Sequence, residues 1–266
     1  MNSKRLLEEL NTLLTPEQIN TNADELYDAA ADRYKKYAKA RKVLDVPNPV
    51  AIVYPKTAEE VATVLRYCNE NGVNVIPRSG KTATEGGLEN WKELTIVLDS
   101  LHLDKILKID TYNSQATAQA GVALQTLEDE LRKVGYTTGH SPQSKPVAKM
   151  GGLVATRSIG QFSTLYGGIE DMVVGLECVF PDGHISRIKN VPRRAGGPDI
   201  RHIAIGNEGT LFGSWGSEPY CTSTRSGTPS LSESVLSGSP SSFTSSMFQP
   251  EYGNARSLPK GSPFTV

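Results

Sequence analysis

Two stretches of the sequence carry residues whose types and spacing could bind a ligand. The first is IPRSGKTATEGGL, residues 76–88, and the second is GHSPQSKPVAKMGGLVATRSIGQFSTLYGGIEDM, residues 139–172. Glycine lets backbone N–H groups come close to a ligand, and serine and threonine hydroxyls add further donors. Both stretches therefore suit an anion such as the pyrophosphate of a dinucleotide. Tight turns in an ordinary α+β domain account for the same glycines about equally well.

Neither stretch matches a standard phosphate-binding motif. GxGxxG does not occur in them, and SGKT is not a Walker A loop because the glycine that this motif requires at position 75 is Val75. The glycines alone therefore leave the choice between a ligand site and turns open.

Composition excludes several classes of protein. The 266 residues carry a net charge of −1, which gives no field for nucleic acid or anionic membrane. Cys68, Cys178 and Cys221 are far apart and odd in number, so neither a metal site nor a disulfide framework is expected. The N-terminus is typical of an amphipathic helix and not of a signal peptide, and no apolar run is long enough to cross a membrane. We expect a cytoplasmic protein without a membrane span.

The elements that would position the two stretches follow from periodicity. Residues 1–45 form a polar helical segment in which Leu6, Leu10, Leu13 and Leu14 share one face. Residues 46–213 mix strands and helices without a regular βαβ repeat, so the predicted class is α+β. Predicted strands are VAIVY, VNVIP, TIVLD, ILKID, QATAQAG and two runs joined at PDG; predicted helices are TAEEVATVLRYCNENG, with a capping box, and ALQTLEDELRKVG.

The pattern stops after Gly213. Residues 214–266 contain 15 Ser, 5 Thr, 6 Pro and 5 Gly among 53 residues. Such a segment buries too little apolar surface to offset the entropy lost on ordering, so we predict a disordered tail.

The full text of the segments resembles a known family. PRSGKTATEGGL, GHSPQSKPVAKMGGLVATRS, LYGGIEDMVVGLECVFPDG and VPRRAGGPDIRHIAIGNEGTLFG are similar to FAD-linked oxidases and dehydrogenases with a PCMH-type FAD-binding domain. These belong to the vanillyl-alcohol-oxidase superfamily, and the nearest similarity is to alkyldihydroxyacetonephosphate synthase and its bacterial oxidoreductase relatives. The resemblance runs from about Pro47 to Gly213. It implies a domain of two small α/β subdomains that binds FAD.

The resemblance also implies which residues contact the cofactor. The first loop would wrap the pyrophosphate, the second would line the flavin, and the backbone of a third segment would approach the cofactor. Ser79 and Lys81 stand where relatives often have glycine, and Gln143 replaces an acidic residue. The implied FAD-binding residues are Pro77, Arg78, Ser79, Gly80, Lys81, Thr82, Ala83, Gln143, Ser144, Gly151, Gly152, Thr156, Arg157, Ser158, Ile159, Gly206, Asn207, Glu208, Gly209 and Thr210. Residues Ile169 to Gly175 would lead into a strand beside the flavin ring.

Other polar residues fit structural roles better than catalytic ones. His140 is better explained as a capped turn residue than as a catalytic base. Arg193 and Arg194 are better explained as a solvated pair than as phosphate ligands. Glu170 and Asp171 are adjacent, so on a strand their side chains would face opposite ways and could not form a paired-carboxylate site. Cys178 occupies an apolar strand position. All three residues are therefore expected to be structural. No catalytic residue and no metal ligand is assigned.

The break at Gly213 bears on function. The family continues there with a strand and then a substrate-binding domain, whereas this chain continues with SWGSEPYCTSTRSG, as a shifted reading frame would. A genuine serine-rich tail is the alternative. The resemblance implies FAD-dependent oxidation of a hydroxy acid or related alcohol, with this chain a catalytically incomplete fragment. The alternatives are an alkyl-transferring synthase of the alkylglycerone-phosphate type and a non-catalytic FAD-binding module. Oligomeric state is left open.

Overall fold

The architecture consists of β-sheets with helices packed against them. In this computed structural model, residues 2–33, 45–191, 195–211, 213 and 222–223 are described. The prediction of a disordered tail falls almost wholly outside these residues, as do Arg193 and Arg194. Within the described part of the chain, no helix is long and apolar enough to cross a membrane.

The first sheet is built mainly from parallel strands. Its strands are β1 (Ile19–Asn20), β2 (Ala51–Val53), β3 (Asn74–Arg78) and β4 (Thr95–Asp99), in the order β1-β2-β4-β3. Strand β4 pairs in parallel with both β2 and β3, and β1 closes one edge antiparallel to β2. All residues of β2 and β4 are buried, as the nearly continuous apolar runs predict. The carboxyl ends of β3 and β4 therefore meet at the same side of the sheet.

Helices cover this sheet through faces that the leucine and valine spacing predicts. They are α1 (Ser3–Leu13), α2 (Ala23–Ala29) and α3 (Ala58–Glu70), with a short 3-10 turn at Pro16–Gln18. Leu6 and Leu10 of α1 share a buried cluster with Val61, Val64 and Cys68 of α3. The N–H of Glu60 donates to the Thr57 hydroxyl as a capping box requires, but the Glu60 carboxylate accepts from the N–H of Lys56.

A second sheet and a hairpin follow. The predicted strands β5 (Ile106–Asp110) and β6 (Gln115–Ala118) form an antiparallel pair, with Ser114 in the turn at φ 53°. Helix α4 (Leu124–Lys133) buries Leu124, Leu127 and Leu131 in the second core cluster and ends before Gly135, which has φ 80°.

The second glycine-rich stretch forms three short helices. These are α5 (Met150–Ala155), α6 (Ser163–Tyr166) and α7 (Ile169–Met172). Residues 169–172 are thus a helical turn and not extended chain, because the Asp171 carboxylate accepts from the N–H of Gly168, 3.0 Å away, and caps the turn. The strand begins only at Leu176.

The last elements complete the described chain. Strands β7 (Leu176–Val179) and β8 (Ile185–Ile188) form the hairpin predicted at PDG, with Gly183 at φ 79°. The four-residue helix α8 (Arg201–Ala204) follows, and β9 (Thr222–Ser223) pairs with β6. Mixed helices and strands in mixed sheets confirm the α+β class.

Candidate cofactor site

A cleft opens at the carboxyl end of β3, where the two glycine-rich stretches meet. The space between its walls is open to solvent and has a volume of about 820 Å³. Three segments form its walls: the loop after β3, the start and end of α5, and the turn after α8. Ser100 and Ala120 lie between these walls. A cleft at the carboxyl ends of parallel strands is a common position for ligands in α/β sheets.

A buried ion pair anchors the first wall. Arg78 and Asp99 end the neighbouring strands β3 and β4, and their side chains meet at 2.5 Å while remaining 5% exposed. The parallel register places the two residues directly opposite each other, which fixes the direction in which the chain leaves β3. Ser79 continues this network, because its hydroxyl accepts from Ser100 Oγ at 2.8 Å and donates to the carbonyl oxygen of Ala120 at 3.3 Å.

The loop after β3 presents unused backbone donors. Within the described part of the chain, none of the five backbone N–H groups of Ser79–Ala83 donates a hydrogen bond, and neither does the N–H of Gly152. Backbone donors left without partners in a loop that lines a cleft are typical of an anion-binding concavity. This is the arrangement that a pyrophosphate requires.

Close backbone contacts hold the two glycine-rich stretches together. A Cβ atom on Gly80 would lie 2.7 Å from the carbonyl oxygen of Val147 and 2.9 Å from the backbone nitrogen of Lys149. A Cβ atom on Gly151 would lie 2.9 Å from the Cβ of Ala120. These distances are shorter than van der Waals contact, so the two glycines permit an approach that any larger residue would prevent.

The third wall depends on Gly209. This residue has φ 80°, and a Cβ atom on it would lie 2.3 Å from Cγ of Pro77, near the end of β3. The N–H of Glu208 donates to the carbonyl oxygen of Ala155 at the end of α5. The turn after α8 therefore contacts both other walls.

Positive charge prevails in the cleft. Its ionisable lining residues, among those described, are Arg78, Lys81, Lys149 and Glu208. Arg78 is neutralised by Asp99. Burial, followed by the nearby charge of Arg78, lowers the pKa of Lys81 below its ordinary value.

The structure brings together thirteen of the residues that the resemblance implies. The cleft is lined by Pro77, Arg78, Ser79, Gly80, Lys81, Thr82, Ala83, Gly151, Gly152, Thr156, Asn207, Glu208 and Gly209. The remaining seven do not line it: Gln143, Ser144, Arg157, Ser158, Ile159, Gly206 and Thr210. Thr210 instead borders a second cleft, beside the edge strand β3.

Seven further lining residues were not assigned to FAD individually from the sequence, although four of them lie within the two glycine-rich stretches. They are Gly87, Leu88, Ser100, Ala120, Lys149, Ala155 and Gly213. Ala120 and Ser100 reach the cleft only through the long-range packing of the two sheets, which no local pattern reveals. Lys149 had a usable signal, because it directly precedes the GG pair that the resemblance implicates.

Polar residues beside the cleft make contacts of their own. The buried ring of His140 lies 3.1 Å from Ser158 Oγ through Nε2, and burial lowers its pKa to about 4. Arg157, at φ 50°, lies 3.3 Å from His202 Nδ1 through Nη2 and 3.8 Å from Glu170 Oε1 through Nε. Cys178 is buried, as expected of a core residue.

The fold and the cleft define a domain for a phosphate-bearing nucleotide, and comparison with known proteins identifies it. Residues 49–189 match the family described as FAD binding domain. The uncharacterized FAD-linked oxidoreductase YgcU of Escherichia coli K12 is 54% identical over 206 residues, 77% of this chain and 43% of the relative. A mitochondrial D-lactate dehydrogenase (cytochrome) 1 of Saccharomyces cerevisiae is 30% identical over 213 residues, 74% of this chain and 36% of the relative.

A solved structure supports the same assignment. Alkyldihydroxyacetonephosphate synthase superposes with a TM-score of 0.75 at 26% identity, covering 85% of this chain and 41% of that one. The chain belongs to the FAD binding domain family, which confirms the resemblance to FAD-linked oxidoreductases, and its cofactor is FAD. The chain spans less than half the length of these relatives.

Proposed function

We propose that residues 46–213 form the FAD-binding module of an oxidoreductase that oxidises a hydroxy acid or a related alcohol. The unpaired N–H donors of Ser79–Ala83, facing a cleft closed by Gly80 and Gly151, carry this proposal. When bound, FAD would supply the electron acceptor for oxidation of a substrate C–H bond. The residues of this chain would hold the pyrophosphate and fix the position of the cofactor.

The implied division of contacts refines this proposal. Within the first loop, Pro77–Ala83 would surround the pyrophosphate, and Gly151, Gly152 and Thr156 would line the neighbouring part of FAD. Asn207–Gly209 would approach from the third wall. We propose that FAD extends beyond this cleft to the remaining residues that the resemblance implies, which are Gln143, Ser144, Arg157, Ser158, Ile159, Gly206 and Thr210.

Substrate chemistry would come from elsewhere in such an enzyme. Among the described residues that line the cleft there is no histidine, tyrosine or cysteine, and its one carboxylate is the exposed Glu208. A general base for C–H oxidation is usually one of these residue types. We therefore propose that the substrate-activating groups lie in the part of the relatives' length that this match does not cover. On this reading residues 46–213 act as a cytoplasmic flavin module, flanked by the segments 1–45 and 214–266.

A second candidate is an alkyl-transferring synthase. It is favoured by the superposition on alkyldihydroxyacetonephosphate synthase. Both candidates use the same FAD module, so they differ only in the substrate groups. An artificial electron acceptor distinguishes the two candidate activities in a protein that spans the full length of the relatives. Oxidation of a hydroxy acid reduces the acceptor, whereas alkyl exchange leaves it oxidised.

The decisive experiment for the module is retention of FAD. The full chain is purified with added FAD, desalted, and examined for flavin absorbance and for thermal stabilisation by FAD. Stoichiometric retained flavin is the expected result. A folded but colourless chain, whose melting temperature does not respond to FAD, would refute the proposal. Addition of a hydroxy acid to the loaded chain should leave the flavin oxidised, whereas dithionite should bleach it.

A further inference from the structure

The backbone of Lys81 is unusual for the residue that occupies it. Lys81 has φ 55°, in the left-handed region, and lies in the middle of the loop with unused N–H donors. This conformation costs an L residue about 1 kcal/mol more than it costs glycine. Outliers of this kind cluster at active sites and ligand-binding loops. The backbone of Lys81 therefore directs attention to what its side chain can do in the cleft.

A second lysine stands on the facing wall. Lys149 directly precedes α5 and lines the same cleft as Lys81. Its backbone nitrogen would lie 2.9 Å from a Cβ atom on Gly80, the neighbour of Lys81. The two lysines thus border the cleft from the two loops that Gly80 brings into contact.

The described part of the chain gives neither ammonium group an ion-pair partner. In the described ranges, Lys81 and Lys149 have no ion pair within 4.0 Å, whereas the adjacent Arg78 is paired with Asp99. The field at Lys81 comes from Arg78 and Lys149, which oppose its protonation, and from Asp99 and Asp28, which favour it. An anion with two charges placed between the lysines would relieve their mutual repulsion.

We propose that the ammonium groups of Lys81 and Lys149 neutralise the two charges of the FAD pyrophosphate, while the backbone N–H groups of Ser79–Ala83 supply its hydrogen bonds. The inference rests on the proposed function. The glycine pattern alone predicts a site that binds the pyrophosphate only through backbone N–H groups, and the two lysines add an electrostatic attraction to it. FAD affinity of this chain is therefore expected to fall with ionic strength.

The test measures the dissociation constant of FAD for the full chain by quenching of flavin fluorescence, at low and at high salt. Lys81→Gln keeps a side chain of similar length but removes the charge, and Lys149→Gln does the same on the facing wall. Each should weaken FAD binding about tenfold at low salt, as expected for a charge-assisted contact that is partly exposed. The double variant should lose most of the salt dependence. Lys4→Gln, on an exposed turn of α1, is the matched control and should bind as the wild type does.

A further variant separates charge from strain. Lys81→Gly also removes the ammonium but relieves the backbone, so the apo chain should melt about 2–4 °C higher while FAD binding still weakens. If Lys81→Gln and Lys149→Gln bind FAD like Lys4→Gln at both salt concentrations, the lysines do not bind the pyrophosphate, although FAD binding itself stands. If the wild-type chain binds no FAD, both this inference and the proposed function are overturned.

Discussion

The contact between the two glycine-rich stretches makes a sharp prediction at Gly80. Gly80 lies outside the left-handed region, so Gly80→Ala tests the close approach without a change in backbone strain. The added methyl would be 2.7 Å from Val147 O and 2.9 Å from Lys149 N, both backbone atoms that cannot rotate away. To restore ordinary contact, the loops must separate by roughly half an ångström, the kind of overpacking that costs about 2 kcal/mol.

This cost should appear in two measurements. The melting temperature of Gly80→Ala should be about 4–8 °C lower, because each kcal/mol of lost stability lowers the melting temperature of a domain of this size by about 2–4 °C. FAD affinity should fall at least tenfold, since the separated walls no longer present their donors together. Gly196→Ala is the control: apart from its chain neighbours, no atom of the described residues lies within 4 Å of its added methyl, so both values should stay near wild type. If Gly80→Ala and Gly196→Ala behave alike, the cleft does not depend on this contact and the reasoning is wrong.

Three further predictions follow from groups near the cleft. His140, with its pKa lowered to about 4 from 6.5, stays neutral in the fold while the unfolded chain takes up a proton, so stability should fall as the pH drops from 6.5 to 4. Chemical denaturation across this pH range should show a decrease in the free energy of unfolding on the order of 3 kcal/mol, which His140→Gln should lack. If wild type and variant lose stability equally as the pH falls, His140 is not the group responsible. Glu128→Ala should lower the free energy of unfolding, measured in urea, by about 3 kcal/mol, because the buried donors of Thr137 and Thr138 lose the carboxylate that accepts from them. A decrease below about 1 kcal/mol would contradict this. Burial raises the pKa of the Cys68 thiol to about 12, so iodoacetamide should not label it before unfolding; rapid native labelling, located by peptide mass spectrometry, would show that the α1–α3 packing opens.

Much of the fold could be predicted because local pattern determines it. The helical face of Leu6 and Leu10, the turn at Gly183 and the helix end at Gly135 all follow from residue type and spacing. The pairing of the strands could not be predicted so well: periodicity identifies β2, β3 and β4 but does not reveal that they lie parallel. The helical turn of Ile169–Met172 was also missed, because its cap depends on one aspartate.

Some residues of the candidate site could likewise be predicted from local sequence, and others could not. The first loop was predictable, since it directly follows a strand and is dense in glycine and hydroxyl residues. Ala120 and Ser100 could not be assigned, because only tertiary packing brings them beside Ser79. Gln143 and Ser144 were included by resemblance alone and do not line the cleft, so their contact with FAD stays a prediction.

Arg66 links the two halves of the domain in a way that bears on how fast FAD can bind. Its guanidinium, on α3 over the first sheet, donates from Nε to the carbonyl oxygen of Asp182 and from Nη2 to that of Gly183, in the β7–β8 turn, at 3.1 and 3.4 Å. Two donors from one planar group resist rotation of the hairpin against the sheet. Val179 of this hairpin pairs with Gly213, which lines the cleft, so this part of the lining is held in place before any ligand arrives. A preorganised site loses little freedom on binding. The association rate should therefore increase linearly with FAD concentration, without the plateau that a slow opening step would impose.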